Sequence, residues 1–273
     1  MDWFNGIPIL MYHEVAERAE VDDLARRTQR GYILLREDFE RQMKFIAGAG
    51  FHPVSLRQLC DWSQSGAPLP SKPIVITFDD GFAGNHRHAF PVLGGLGFTA
   101  TFFVVTNRIE DQYMMTWSNL REMARHGMAI ESHTMNHPLL STLTEARTRD
   151  ELVGSKHAIE DKLATAVSFL SLPNGDSNPF YVAVAREAGY AGGCGSRFGF
   201  NTRSTDRFFW RRVAVKQGLG FENLVLRRRG AILYHGAKAA AKASIASALG
   251  KKTYDRLYNL AFGVQEQDKS KQA

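Results

Sequence analysis

Two adjacent carboxylates, Asp79 and Asp80, follow the apolar, β-branched run of residues 73–78 and precede Gly81. A buried strand that ends in such a pair is typical of a catalytic edge. Neighbouring carboxylates repel, so one usually binds a metal or a proton while the other stays available as a base. The same triplet also occurs in simple Asx-type turns, and the pair by itself leaves both interpretations open.

Two histidines four residues apart, His133 and His137, end a second strand-like run. Neutral imidazoles are good ligands for zinc and its neighbours in the periodic table. Pro138 disfavours a helical backbone at His137, which indicates a strand end followed by a tight loop. With Asp80 as a third ligand, the set leaves coordination positions open for water. That pattern is typical of a catalytic metal rather than a structural one.

Together the two motifs resemble those of the polysaccharide deacetylases, the NodB-like family of carbohydrate esterases. The resemblance rests on residues 77–81 and 132–137, which occur in order and each follow a strand-like run. It extends more loosely over residues 7–215 and is closest in style to the exopolysaccharide N-deacetylase branch. The fold that it implies is α/β, a distorted (β/α) barrel with about seven parallel strands.

The resemblance also implies roles for the four motif residues. Asp79 would be the general base that activates a water held at the metal. The metal would be a divalent ion, zinc first and Co²⁺, Ni²⁺ or Mn²⁺ as alternatives, bound by Asp80, His133 and His137.

Residues 169–176 align with the third motif of the family. There a backbone N–H after the proline helps to hold the oxyanion, which assigns that role to the amide of Asn174. Many members carry an arginine that holds the base, where this chain has Ser171, and Arg212 is the candidate to supply the missing cation. Contacts with the sugar are expected from two further residues, Pro173 and Trp210.

The general acid of the family is a histidine at the end of an apolar strand. Two residues fit that description, His13 after residues 7–12 and His235 after residues 232–234. His13 is preferred because, in the exopolysaccharide branch of the family, the opening strand resembles a circularly permuted version of the last motif, which carries the acid. An imidazole that titrates near neutral pH suits protonation of an amine leaving group.

The implied activity is a metal-dependent hydrolase that removes N-acetyl groups from amino sugars of a polysaccharide or its lipid-linked precursor. Asp79 would activate the water and His13 would protonate the amine. Two alternatives remain, an O-deacetylase or deformylase of a lipid-linked sugar, and a non-catalytic glycan-binding pseudoenzyme. The pseudoenzyme is considered because Ser171 and Asn174 depart from the family pattern.

Composition and patterning agree with one large catalytic core. The 273 residues are 44% hydrophobic, and strand-like runs alternate with helical ones, which favours parallel βαβ units. Residues 1–215 are predicted to form the catalytic barrel, with the core motifs in 71–215. Residues 21–31 are predicted to be a loop over the groove. Two cysteines, Cys60 and Cys194, have neither a disulfide pattern nor metal-ligand spacing.

The basic excess of the chain lies in residues 216–273, which hold eleven Lys and Arg against four Asp and Glu. This segment is predicted to be a basic helical extension. It either covers the barrel or contacts an anionic membrane surface. Nucleic acid is not expected, because no binding motif accompanies the charge. Residues 1–5 lack the pattern of a signal peptide, which predicts a cytoplasmic enzyme, peripheral at the inner membrane surface if the extension binds lipid.

Overall fold

The computed structural model describes residues 6–26, 28–218 and 220–225, together with the single positions Ser244 and Thr253. The chain divides into two units, Met1–Phe221 and Glu222–Ala273. The predicted basic extension of residues 216–273 lies almost entirely outside the described residues. Among the described helices, none combines the length and the apolar composition that crossing a bilayer requires.

The strands are β1 (Ile9–Tyr12), β2 (Glu14–Ala16), β3 (Ile33–Leu35), β4 (His52–Pro53), β5 (Pro73–Phe78), β6 (Thr101–Val104), β7 (Ala129–Ser132), β8 (Phe169–Ser171), β9 (Gly192–Phe198) and β10 (Trp210–Ala214). The α-helices are α1 (Val21–Leu24), α2 (Arg36–Gly48), α3 (Leu56–Ser65), α4 (Phe90–Gly95), α5 (Trp117–Arg125), α6 (Glu145–Leu163), α7 (Tyr181–Glu187) and α8 (Phe221–Val225).

Seven parallel strands close into a barrel in the order β1-β10-β9-β8-β7-β6-β5, and β5 pairs with β1 to complete the ring. The short β4 adds to the start of β5, outside the ring. The predicted α/β barrel with about seven parallel strands is confirmed. Because all strands of the ring run the same way, the residues that follow β1, β5, β7 and β8 lie at one rim.

Helix α3 closes the opposite end of the barrel. Its buried residues Leu56, Leu59 and Cys60 belong to one apolar cluster with Val75 of β5 and Trp210 of β10. Side chains alternate between the two faces of a strand, so the inward position returns every second residue. Two residues further along their strands, the inward positions become polar: Thr77 on β5, Ser171 on β8 and Arg212 on β10.

Strands β2 and β3 form a second, two-stranded parallel sheet, and β2 follows the end of β1 after one residue. The chain between these strands contains a 3₁₀ turn at Arg18–Glu20, helix α1 and a second 3₁₀ turn at Arg30–Tyr32. The prediction of a loop at residues 21–31 is therefore wrong at α1 and at the second 3₁₀ turn. With Gln217, this segment lines a cavity of about 300 Å³.

Candidate active site

The turn after β5 aims the two neighbouring carboxylates in different directions. Asp79 follows the strand directly, whereas Asp80 has a left-handed backbone with φ of 75° and Gly81 has φ of 88°. The positive φ favours glycine at this position, and a Cβ there would also make a tight contact of 3.2 Å with Cγ1 of Val104. Strained left-handed residues of this kind concentrate at functional sites.

The loop after β7 positions the two histidines. His133 follows the strand, and His137 is reached through a loop in which both Thr134 and His137 have positive φ, 65° and 59°. The hydroxyl of Ser132 accepts the N–H of Thr134 at 3.1 Å, and the hydroxyl of Thr134 accepts the N–H of His137 at 3.0 Å. These local bonds replace the backbone pairing that a strained loop lacks.

Helix α6 fixes the same loop from outside. The carboxylate of Glu151 accepts the backbone N–H groups of Met135 and Asn136, each at 2.9 Å, and the side-chain amide of Asn136 at 2.7 Å. The loop is thus held by side chains from the helix that follows it, which keeps His137 close to His133. Their ring centroids lie 4.7 Å apart.

Asp80, His133 and His137 form a compact set of donor atoms. Oδ1 of Asp80 lies 3.5 Å from Nε2 of His133 and 3.6 Å from Nε2 of His137. All three donor atoms lie within 4.8 Å of one another. Two ligands at about 2.1 Å from one ion in a tetrahedral arrangement are about 3.4 Å apart, so the set fits a divalent metal such as zinc.

The protonation states favour the same use. Burial lowers the pKa of the His133 imidazole to about 3 and also lowers that of His137, which keeps both rings neutral and able to bind a cation. Nδ1 of His133 lies 2.8 Å from the carbonyl oxygen of Ser171, and this bond leaves Nε2 as the free lone pair. Burial and the charge of Asp79 raise the pKa of Asp80, so a cation beside it would be stabilising.

Asp79 belongs to a separate network with Arg212. The guanidinium donates from Nη1 to Oδ1 and from Nη2 to Oδ2 of Asp79, both at 2.7 Å, and only 1% of Arg212 is exposed. Ser171 donates to Asp79 at 3.1 Å and accepts from Arg212 at 2.8 Å, while Nε of Arg212 donates to the carbonyl of Gly195 at 2.8 Å. The predicted partner of Arg212, Asp79, is thus in contact with it, and the role of Asp79 as a base stays a prediction.

The electrostatic effect on Asp79 is a balance between burial and its neighbours. Burial by itself would raise the pKa of this carboxyl, but the Arg212 guanidinium, helped by His133, holds it well below the usual range. Asp79 is therefore ionised near neutral pH. Its Oδ2 is 4.0 Å from Nε2 of His133, so the carboxylate borders the metal set without belonging to it.

His13 follows β1 and lies at the same rim. Burial lowers the pKa of its imidazole, while the carboxylates of Asp80 and Asp79 act in the opposite direction. The ring contacts Tyr32, with centroids 4.2 Å apart at an angle of 46°. The competing candidate for the acid, His235, lies outside the described residues.

The sequence also predicts roles for Asn174, Pro173 and Trp210. Asn174 is three residues past Ser171, with a left-handed backbone (φ 55°) and an exposed side chain, so only its main chain remains a candidate donor. The sugar contacts predicted at Trp210 and Pro173 stay predictions, and the burial of both residues does not favour them. Trp210 is 1% exposed and packs on Phe169, because inward positions near the start of a strand face helix α3. Pro173 is also buried.

Tyr32 is the residue of this site that the sequence did not single out. It precedes β3, which is only three residues long, and no spacing relates it to the two motifs. Burial and the carboxylates of Asp79 and Asp80 raise the pKa of its phenol, so the phenol is within electrostatic range of the carboxylate pair. The pairing of β2 with β3 brings it to the site, and strands this short leave no signal in the sequence.

The family assignment follows from comparison with known proteins. Residues 66–193 match the family model for polysaccharide deacetylase. This part of the chain therefore resembles a polysaccharide deacetylase domain. The resemblance and the prediction of a carbohydrate deacetylase, a hydrolase that acts on N-acetyl amide bonds, are confirmed at the level of the family.

Curated relatives and solved structures agree with this assignment. The chain is 28% identical over 213 residues to the putative polysaccharide deacetylase YxkH of Bacillus subtilis, covering 78% of this chain and 72% of that protein. It is 27% identical over 148 residues to the poly-β-1,6-N-acetyl-D-glucosamine N-deacetylase of Escherichia coli K12, covering 48% of this chain and 21% of that protein.

Two solved structures share the fold of the deacetylase domain. The deacetylase PplD of Streptococcus pyogenes superposes with a TM-score of 0.75 at 22% identity, covering 81% of this chain and 97% of that one. IcaB of Ammonifex degensii superposes with a TM-score of 0.71 at 22% identity, covering 81% and 96%.

Proposed function

We propose that this deacetylase is a metal-dependent enzyme that removes N-acetyl groups from amino sugars of a polysaccharide. The observation that carries the proposal is the different surroundings of two adjacent carboxylates. Asp79 is clamped by Arg212, and Asp80 faces two neutral imidazoles. Asp79 is thereby suited to proton transfer and Asp80 to binding a cation. Metal-dependent hydrolysis of an amide uses both functions.

The cation would be held by Asp80, His133 and His137. When bound, it supplies Lewis acidity that polarises the acyl carbonyl and makes a nearby water acidic enough for a weak base such as Asp79 to deprotonate.

Asp79 then acts as the general base. Its two bonds from Arg212 fix both carboxylate oxygens, and the bond from Ser171 fixes the orientation further. The pseudoenzyme was considered because Ser171 stands where many members carry an arginine. Arg212 holds the base from a different strand, which supports catalysis over mere glycan binding. The backbone N–H of Asn174 is proposed as a donor to the developing oxyanion.

His13 is proposed as the general acid. As the C–N bond breaks, the amine nitrogen of the sugar needs a proton, and an imidazolium is the natural donor near neutral pH. Burial lowers the pKa of His13, which strengthens it as an acid and reduces the fraction that carries a proton at high pH. Activity should therefore fall as the pH rises above the pKa of His13.

The proposed substrate is a polymer of N-acetylglucosamine or its lipid-linked precursor. The names of the E. coli relative and of its Staphylococcus aureus counterparts, which are poly-β-1,6-N-acetyl-D-glucosamine N-deacetylases, support this choice. An O-deacetylase or a deformylase would use the same catalytic groups and is the second candidate.

Acetate release from β-1,6-linked N-acetylglucosamine oligomers, measured after reconstitution with Zn²⁺, Co²⁺, Ni²⁺ or Mn²⁺, tests the proposal. O-acetylated and N-formylated sugars run in parallel distinguish the second candidate, since the latter releases formate. Asp79→Asn is the control and should lose the activity. Full activity in Asp79→Asn, or equal activity after exhaustive chelation, would refute the mechanism.

Attachment to a membrane surface remains a prediction from the charge of residues 216–273, and a cytoplasmic location remains one from residues 1–5. Flotation of the full-length protein with anionic liposomes, compared with neutral ones at low and high salt, tests the first. Equal recovery with both lipid compositions would exclude an electrostatic membrane contact.

A further inference from the structure

Among the described residues, none hydrogen-bonds to the inner side of the His13 imidazole. Its Nδ1 atom is buried and lacks a partner among the residues that the structure describes. A histidine that transfers protons is usually held by an acceptor at its second nitrogen, which fixes both tautomer and ring orientation. In this protein the orientation of the imidazole must come from packing, and Nε2 is the nitrogen left to reach the groove.

The ring that packs against His13 is that of Tyr32. Strands β2 and β3 pair in register with Glu14 opposite Ile33, so the residues just before them, His13 and Tyr32, are brought side by side. Their ring centroids are 4.2 Å apart, which is closer than most aromatic contacts. The pairing of these two strands therefore places the phenol ring of Tyr32 against the imidazole of His13.

A cation fixes Tyr32 in turn. Nζ of Lys216 lies 4.0 Å from the centroid of the Tyr32 ring, a distance at which a cation–π contact is favourable. The backbone also joins these segments, since the N–H of Gln217 donates to the carbonyl oxygen of Gly31 at 3.2 Å. The segment that follows β10 thus contacts both the Tyr32 ring and the turn at residues 30–32.

We propose that Tyr32 is a positioning residue for His13, with its ring, steadied by Lys216, setting the orientation from which the imidazole delivers its proton. This inference rests on the proposed role of His13 as the general acid. Tyr32 acts through ring contact rather than through its hydroxyl, so phenylalanine should replace it and an aliphatic side chain should not.

The chemistry of the leaving group separates a positioning role from a structural one. An amine leaves an amide only after it has gained a proton, so amide hydrolysis depends on a well-placed acid. A nitrophenolate leaves an acetyl ester as a stabilised anion and needs no proton. Loss of acid positioning should therefore slow N-deacetylation and spare hydrolysis of p-nitrophenyl acetate, whereas damage to the base or to the metal set should slow both.

The experiment compares Tyr32→Leu, Tyr32→Phe, His13→Ala and the double variant on both substrates, in the full-length, metal-loaded protein. Tyr32→Leu should lower kcat on the N-acetylglucosamine oligomer about 10- to 100-fold with KM changed little, as expected for a misplaced catalytic group. The same variant should lower kcat for ester hydrolysis by less than about 3-fold. Tyr32→Phe should restore most of the amide activity.

The double variant provides the coupling test. If Tyr32 acts through His13, His13→Ala with Tyr32→Leu should be no slower on the amide than His13→Ala. Metal content and melting temperature, measured on every variant, report independently on folding. Phe180→Leu is the matched control, because Phe180 is a partly exposed aromatic residue outside the site.

Equal losses on amide and ester in Tyr32→Leu, or a further loss in the double variant, would overturn the positioning role. So would failure of Tyr32→Phe to recover amide activity. Failure of the proposed function has a different signature, since His13→Ala itself would then show no difference between the two substrates.

Discussion

The buried ion pair between Arg212 and Asp79 allows a quantitative test of how the proposed catalytic base is held. Arg212→Met keeps most of the unbranched stem of the side chain and removes the guanidinium with its charge. It also removes two charge-assisted hydrogen bonds of 2.7 Å from a carboxylate that is 3% exposed. Breaking one side of a buried pair costs about 3–5 kcal/mol, because the remaining charge is left uncompensated. We expect a loss of that size in the free energy of unfolding at pH 7.

The second half of the test removes the other charge. Asp79→Asn should also destabilise the protein, because it leaves the guanidinium of Arg212 buried without a counter-charge. The double variant buries neither charge, so its loss should be well below the sum of the two single losses. We expect a coupling energy of about 3 kcal/mol, within the range measured for close charge pairs.

Urea unfolding of the metal-free protein, followed by tryptophan fluorescence, gives these free energies. Arg211→Met is the matched control, since Arg211 is the exposed neighbour on the same strand and should change stability by less than about 0.5 kcal/mol. The deficit of Arg212→Met should shrink as the pH falls, because the unpaired Asp79 carboxyl takes up a proton and no longer buries a charge. Additive losses, or a deficit that is independent of pH, would refute the assignment of Arg212 as the partner of the base.

The remaining predictions concern the metal set and a second buried acid. His137→Ala should lower Zn²⁺ affinity by about 100-fold or more in a chelator competition, whereas the exposed His157→Ala should not; equal affinities would remove His137 from the set. Gly81→Ala should destabilise the protein by about 1–3 kcal/mol and lower activity, because φ is 88° and the added Cβ meets β6; a neutral effect in urea unfolding would contradict the strain. Burial raises the pKa of Glu14 to about 8, whereas the unfolded chain loses this proton near pH 4.5. The free energy of unfolding therefore falls as the pH rises from about 4.5 to 8. Glu14→Gln should therefore stabilise by about 1 kcal/mol at pH 5 and up to about 4 kcal/mol at pH 8, with exposed Asp61→Asn as control; a gain that does not grow with pH in thermal unfolding would count against it.

The sequence by itself determined the catalytic rim of this protein. Apolar runs that end in Asp79-Asp80 and in His133 predict strand ends, and the ends of parallel strands meet at one edge whatever the details of packing. The alternation of strands with helices predicts the barrel for the same reason. Short-range pattern and strand direction are sufficient for these conclusions.

Tertiary structure decided which side chains meet within that rim. Trp210 and Arg212 are two residues apart on one strand, yet one packs into the plug of α3 and the other reaches Asp79, because depth along the barrel axis sets the neighbours. Tyr32 reaches His13 only through the pairing of two three-residue strands, which carry too few residues to leave a periodic signal. Contacts of this kind depend on long-range register, and no local pattern in the chain encodes it.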